Sequence, residues 1–238
     1  MLTLDYDTLG TIAGMNVLDV GCGFGRHSFA AVRRGASVIA VDWALEEVTG
    51  VRDMLGAMAL EGEFDPERIP TAALRGDIAH LSFPDETFDQ IICSEILEHI
   101  PEDVRALQEL FRVLKPGGRM AVTVPRTGPE RINWWLSEEY HAVPGGHIRI
   151  YTRSVLQDRL RGAGFVVTSH HYAHGLHSPY WWLKCIVGTA NDRHWLVRQY
   201  HRLLVWDMMQ QPFITRWAER ILNPLIGKSL VLYVEKPQ

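Results

Sequence analysis

The sequence predicts an α/β fold: a seven-stranded, mostly parallel sheet covered by helices on both faces, with ligands at the carboxyl ends of the strands. Three observations carry the prediction. β-branched apolar runs alternate with helix-spaced segments, turn and stop residues separate them, and the first apolar run, "LDVGCGFG", opens into a helix through glycines.

The elements follow in chain order. "MNVLDVGCG" reads as a strand, and "RHSFAAVRRG" as a helix that Gly35 terminates. "ASVIAVDW" is a second strand; Ala44 to Leu60 is a helix whose apolar face is Val48, Val51, Leu55 and Met58. "TAALRGDI" is a third strand and "FDQIICSE" a fourth. The next helix is opened by Pro101 with the acids Glu102 and Asp103. Its apolar face is Val104, Leu107, Phe111 and Leu114, and "KPGG" ends it. "RMAVTVP" is a fifth strand, "TRSVLQDRLRGAG" a capped helix, "FVVTSHHYA" a sixth strand and "SLVLYVEKP" a seventh. Residues 1–238 thus read as one domain with two long connections, an acceptor-side insertion over 126–150 and a helical insertion over 174–228.

Composition narrows the function. Lys plus Arg number 24 against 28 Asp plus Glu, with no long basic run, which argues for a small-molecule partner and against nucleic acid. Three scattered cysteines without a CxxC spacing argue against a disulfide framework and a structural zinc site, so a cytoplasmic location is expected. No apolar stretch is long enough to span a bilayer, and the first residues carry no targeting pattern.

Gly21, Gly23 and Gly25 let backbone pass close to a ligand where strand turns to helix, and Asp42 at the end of the second strand suits ribose hydroxyls. An acid at the end of an apolar strand is costly without such partners. These features alone serve a dinucleotide or an adenosine equally. The discrimination comes from the ordered set "GDIAHLSFPDETFDQIICSEILEH", "FRVLKPGGRMAVTVP" and a helix ending "RGAGF".

With that set the sequence resembles the class I S-adenosylmethionine-dependent methyltransferases, in particular the ubiquinone-biosynthesis and small-molecule branch, over about residues 15 to 172 plus the last strand. The resemblance implies a Rossmann-like three-layer sandwich with the last strand antiparallel, and S-adenosyl-L-methionine as cofactor. It also implies roles. Asp19, Gly21 and Gly23 would hold the methionine part, Asp42 the ribose, Trp43 the adenine face, and Asp77 with the Ile78 N–H the adenine edge, with Ser94 nearby. Trp43 also reads as a core aromatic, and Asp77 as a turn residue.

"CSEILEHIP" sets Glu95, Glu98 and His99 within five residues. If the chain is helical there, the three share a face toward the acceptor. In similar ubiquinone-type O-methyltransferases such a run is associated with Mg²⁺, which would help activate a hydroxyl; the alternative is that these residues brace the cofactor loop. His99 and His147 are the candidate general bases, with His141 a weaker one; His147 also reads as a brace of the "GG" turn. His170, His171, His174 and His177 invite a metal reading, but neighbours on a strand point to opposite faces unless the strand ends there.

Aromatic residues crowd the insertions, among them Trp134, Trp135, Tyr140, Tyr180, Trp181 and Trp182, as either acceptor lid or core. Trp195 to Ile226 reads as two helices around Pro212, forming a lid, a homodimer contact or a peripheral membrane face. The expected activity is methyl transfer to a small, bulky, partly apolar or glycosylated acceptor at a hydroxyl. The alternatives are N- or C-methylation, an NAD-dependent oxidoreductase, and a non-catalytic cofactor-binding partner protein.

Overall fold

All seven strands are present in the computed structural model, which describes residues 2–143 and 145–238. A short helix α1 (Tyr6–Leu9), absent from the sequence reading, precedes β1 (Asn16–Val20); Asp5 caps it by accepting the Asp7 N–H. There follow α2 (Arg26–Val32), β2 (Ser37–Asp42), α3 (Leu45–Leu60), β3 (Thr71–Arg75), β4 (Phe88–Ser94), α4 (Asp103–Val113), β5 (Leu114–Pro125) and α5 (Thr127–Leu136). Then come α6 (Arg153–Gly162), β6 (Val166–Ala173), α7 (His177–Val187), α8 (Trp195–Gln210), α9 (Phe213–Ile226) and β7 (Ser229–Glu235).

The sheet order is β3-β2-β1-β4-β5-β7-β6. β7 alone runs against its neighbours, β5 and β6. Alternation along the strands splits the core. Leu18, Ile91, Met120 and Leu232 face α4 and α6, where Leu107, Leu110, Leu156 and Leu160 are buried; Val17, Ile92, Ala121 and Val231 face α1 to α3, against Leu9, Ala31, Val51 and Leu55. The strand order reverses between β1 and β4, which opens a crevice above their carboxyl ends.

Three local expectations are corrected. The buried face of α4 is Asp103, Ala106, Leu107, Leu110 and Val113, not one centred on Val104 and Phe111. Burial of Asp103 explains the rotation. Its carboxylate accepts the Tyr151 hydroxyl at 2.5 Å and pairs with Arg149 at 3.0 Å, so a charged position packs inward. Leu114 and "KPGG" belong to β5 instead of ending the helix. Residues 95–100 form a turn, with Glu95 in the left-handed region (φ 57°), because Pro101 disfavours helical backbone at Ile100.

α8 and α9 confirm the two-helix reading around Pro212 and leave Met209, Phe213 and Trp217 exposed. Among the described residues, no helix is long and apolar enough to cross a membrane.

Candidate active site

Two cavities adjoin above the strand ends. The first, about 310 Å³, is lined by Gly21, Asp42, Trp43, Asp77, Ile78 and Ile96, among others. Gly21 (φ 65°) must be glycine there, since a Cβ would lie 2.1 Å from Ile96 Cδ1. Asp42 Oδ2 accepts the Gly23 N–H at 2.9 Å and Oδ1 the Ala44 N–H at 2.9 Å, so the acid ties the glycine turn to the start of α3 while still bordering the cleft. Trp43 is 67% exposed, which removes the core reading; the Arg75 guanidinium lies 5.1 Å from its ring. Asp77 is a turn residue, accepting the Ala79 N–H at 2.9 Å, and lines the cleft as well. The Ile78 N–H meets no acceptor among the described residues.

Asp19 and Ser94 stand differently from expectation, because neither is on that wall. Asp19 is 1% exposed beneath the loop and accepts the Ser28 hydroxyl at 2.6 Å. Burial pushes its carboxyl up to about 6, against the opposing Ser28 hydrogen bond and Arg26 charge. Ser94 is buried in a relay: Arg26 Nη2 donates to Ser94 Oγ at 3.1 Å, Ser94 to Thr123 Oγ1 at 3.0 Å, and Thr123 to Glu95 Oε1 at 3.0 Å. Both residues hold the loops from behind.

The turn at 95–100 separates the cavities and serves both. Ile96 and Ile100 line the first; Glu95, Glu98 and His99 line the second, of about 400 Å³, with Arg26, His147, Trp181 and Lys228. The three residues expected to hold Mg²⁺ do not make a common ligand set. Glu95 is turned to Thr123, and the group that converges is Glu98, His99 and His147. One carboxylate with two imidazoles is a poor donor set for a hard, oxygen-seeking cation, so Mg²⁺ does not fit. Glu98 is 1% exposed, neither of its oxygens has a hydrogen-bond partner among the described residues, and burial followed by the Glu95 charge raises its carboxyl well above the ordinary range.

His99, not His147, braces the "GG" turn: its Nδ1 donates to the Gly145 carbonyl at 2.8 Å. Burial, then the neighbouring His147, lowers its basicity. His147 instead pairs through Nδ1 with Glu130 Oε1 at 2.6 Å, and its ring meets that of His99 edge-on at 4.9 Å. Glu130 is 1% exposed and also accepts from Trp134 Nε1 at 3.0 Å and the Tyr140 hydroxyl at 3.3 Å. Burial opposes its ionisation, but the His147 hydrogen bond and charge, then Lys228 and Trp134, hold it below the usual carboxylate range. Sequence reasoning missed Glu130. Its only signal was an acid in the first turn of an aromatic-rich helix. His141 is stacked flat on Trp134, ring centres 4.3 Å apart. Trp134 and Tyr140 therefore pack around Glu130, whereas Trp135 is 84% exposed.

Residues 18–122 match the methyltransferase domain family model. Methyltransferase GfsG of Streptomyces halstedii is 33% identical over 118 residues, 49% of this chain and 40% of that protein. The ubiquinone biosynthesis O-methyltransferase of Alkalilimnicola ehrlichii is 33% identical over 132 residues, 54% of this chain and 50% of that one. The chain thus spans about half or less of the length of these curated relatives. A solved SAM-dependent methyltransferase structure from Methanosarcina mazei superposes with a TM-score of 0.64 at 17% identity, covering 99% of both chains, which shows a shared fold. Residues 18–122 are thus similar to a methyltransferase domain, and the likeness of fold extends over the whole chain.

Proposed function

We propose that the chain transfers a methyl group from S-adenosylmethionine to a hydroxyl of a small acceptor, with His147 as general base and Glu130 as its orienting carboxylate. The cofactor assignment is supported by the first cavity. Its glycine turn leaves no room for a side chain at Gly21; Asp42 offers acceptors for ribose hydroxyls, Trp43 an exposed face for adenine, and Asp77 with the Ile78 N–H a matching edge. Gly23 carries the methionine end, while Asp19 and Ser94 act as positioning residues through the loops they brace. When bound, the cofactor supplies an activated methyl group on a positively charged sulfur.

The observation that carries the oxygen assignment is the 2.6 Å His147–Glu130 pair on the far side of the turn at 95–100. A thiol, amine or enolate needs little activation, whereas a hydroxyl needs a base. Glu130 accepts from Nδ1, which leaves Nε2 to take the hydroxyl proton, and the buried carboxylate stabilises the resulting imidazolium. The polar wall of Arg26, Glu95 and Lys228, with Trp181 and Met208 as the apolar part, suits a hydroxyl-rich or glycosylated acceptor.

Incubation of the protein with methyl-labelled S-adenosylmethionine and cell extract, followed by mass identification of the labelled product, tests this reading. A labelled methyl ether, lost with His147→Ala, is expected. Label on nitrogen or carbon, or undiminished labelling by the variant, overturns the oxygen assignment.

A further inference from the structure

We propose that His174, His177 and Glu219 form a site for one borderline divalent cation, Zn²⁺ foremost, that fastens α9 to the corner between β6 and α7. β6 ends at Ala173, so the alternation that separates His170 from His171 no longer applies beyond it. Those two go separate ways: His170 accepts from Arg153 at 2.7 Å, and His171 stacks on Tyr233. His174 takes a left-handed conformation (φ 65°), the chain reverses, and His177 opens α7 beside it, with ring centres 5.3 Å apart.

α9 closes the third side. A Cβ on Gly175 would lie 2.7 Å from Leu222 Cβ, and Asn223 Oδ1 accepts the Gly175 N–H at 2.7 Å, so this helix is packed hard on the corner. Glu219, one turn earlier, accepts the Leu176 N–H at 3.2 Å. One ligand atom from each of His174, His177 and Glu219 lies within 4.8 Å of the others. Zn–N bonds of about 2.0–2.1 Å imply ligand atoms about 3.4 Å apart, a difference that side-chain rotation covers.

The second observation concerns buried nitrogen. His174 is 8% exposed, and Nδ1 of both His174 and His177 has no hydrogen-bond partner among the described residues. His174 Nε2 sits 3.2 Å from Thr3 Oγ1, the outer-shell oxygen that fixes a metal-binding imidazole's tautomer and leaves Nδ1 its lone pair. Two imidazoles and one carboxylate are the donor set of a three-ligand zinc site with an open fourth position. Both histidines also line the second cavity. Lys228 on the same wall opposes a cation there; Glu219 and the buried Asp207 favour it. The site is separate from the Glu98, His99 and His147 group and needs no assumption about the acceptor.

Titration of the metal-stripped full chain with Co²⁺, read by visible ligand-field absorption and calorimetry, tests the proposal. One Co²⁺ bound at micromolar affinity or tighter and displaced by Zn²⁺ is expected, with affinity reduced at least tenfold by His177→Ala and by Glu219→Gln but unchanged by His99→Ala. Zn²⁺ should raise the melting temperature of the wild type and not that of Glu219→Gln, a near-isosteric change that keeps the test alive if His177→Ala folds poorly. Absence of micromolar binding, equal affinity in Glu219→Gln, or loss confined to His99→Ala overturns it.

Discussion

The two cavities that share the turn at 95–100 are built by opposite means. The first cavity, proposed for the cofactor, is a property of backbone: strand ends, a glycine turn, amide groups, and acids whose oxygens are already anchored to N–H groups. The second cavity, proposed for the acceptor, is a property of side chains, drawn from the first residues, α2, the 95–99 turn, the 147 loop, the corner after β6, α7, α8 and the start of β7. Backbone construction ties ligand affinity to the fold itself, and a change there alters binding. Side-chain construction leaves the wall adjustable, so that a change alters turnover and specificity while the cofactor still binds. This is the division expected of a fold that serves many acceptors with one cofactor.

The largest expected effect breaks the division if it is wrong. His147→Ala and Glu130→Gln should each lower kcat by about 10² to 10⁴-fold, the usual worth of a general base, while calorimetric affinity for S-adenosylhomocysteine stays the same. A parallel loss of cofactor affinity would mean that the two cavities are one mechanical unit. On the other side, Asp42→Ala removes charged acceptors for two hydroxyls, each worth about 1.5–3 kcal/mol, and cuts the tie to Gly23. Cofactor affinity should fall by about 100-fold or more, to the point where calorimetry reads no binding. Unchanged affinity would refute its assignment.

The same division explains what was legible in the sequence. Strand runs and the glycine turn are local signals, and every strand with Gly21 and Asp42 could be read from them, whereas Trp43 and Asp77 entered through the resemblance to the methyltransferase motifs. The acceptor side depends on partners far apart in sequence. Glu130 gains meaning only from His147, 17 residues on, and the buried Asp103 that turns α4 from the expected face meets Tyr151, 48 residues on. The turn at 95–100 is only half legible: Glu95, Glu98 and His99 imitate helical spacing, and the proline at 101 is the contrary signal.

A third, pH-dependent effect probes how the backbone side acquires its negative field. Asp19 has a folded-state pKa of about 6 against 3.8, so between those values the folded chain keeps a proton that the unfolded chain has released. Stability contributed by this group is therefore fully present below about pH 4, falls as pH rises to about 6, and is level above. Two pKa units correspond to about 3 kcal/mol. Asp19→Asn keeps an acceptor for Ser28 without the charge. Its stability relative to wild type, from urea unfolding, should rise between pH 4 and 6, and at pH 7 it should be more stable yet bind the cationic cofactor more weakly. A difference independent of pH would show that Asp19 ionises beneath the loop as readily as in the unfolded chain.

The smallest effect is the sharpest on the comparison, because among the described residues Trp43 is the aromatic side chain that lines the first cavity, where it is proposed to offer a purine face. Two-thirds exposed, it buries little, and its removal should cost the fold about 0.5 kcal/mol or less, chiefly the lost contact with Arg75. Base stacking on an aromatic ring is worth about 1–3 kcal/mol, so Trp43→Ala should weaken cofactor binding by about tenfold, with Trp43→Phe recovering most of it. The two quantities thus separate: a melting curve that scarcely moves beside an isotherm that does. If the melting temperature falls instead and affinity holds, Trp43 is a structural residue of the β2–α3 junction, and adenine is held by the Asp77 and Ile78 edge alone.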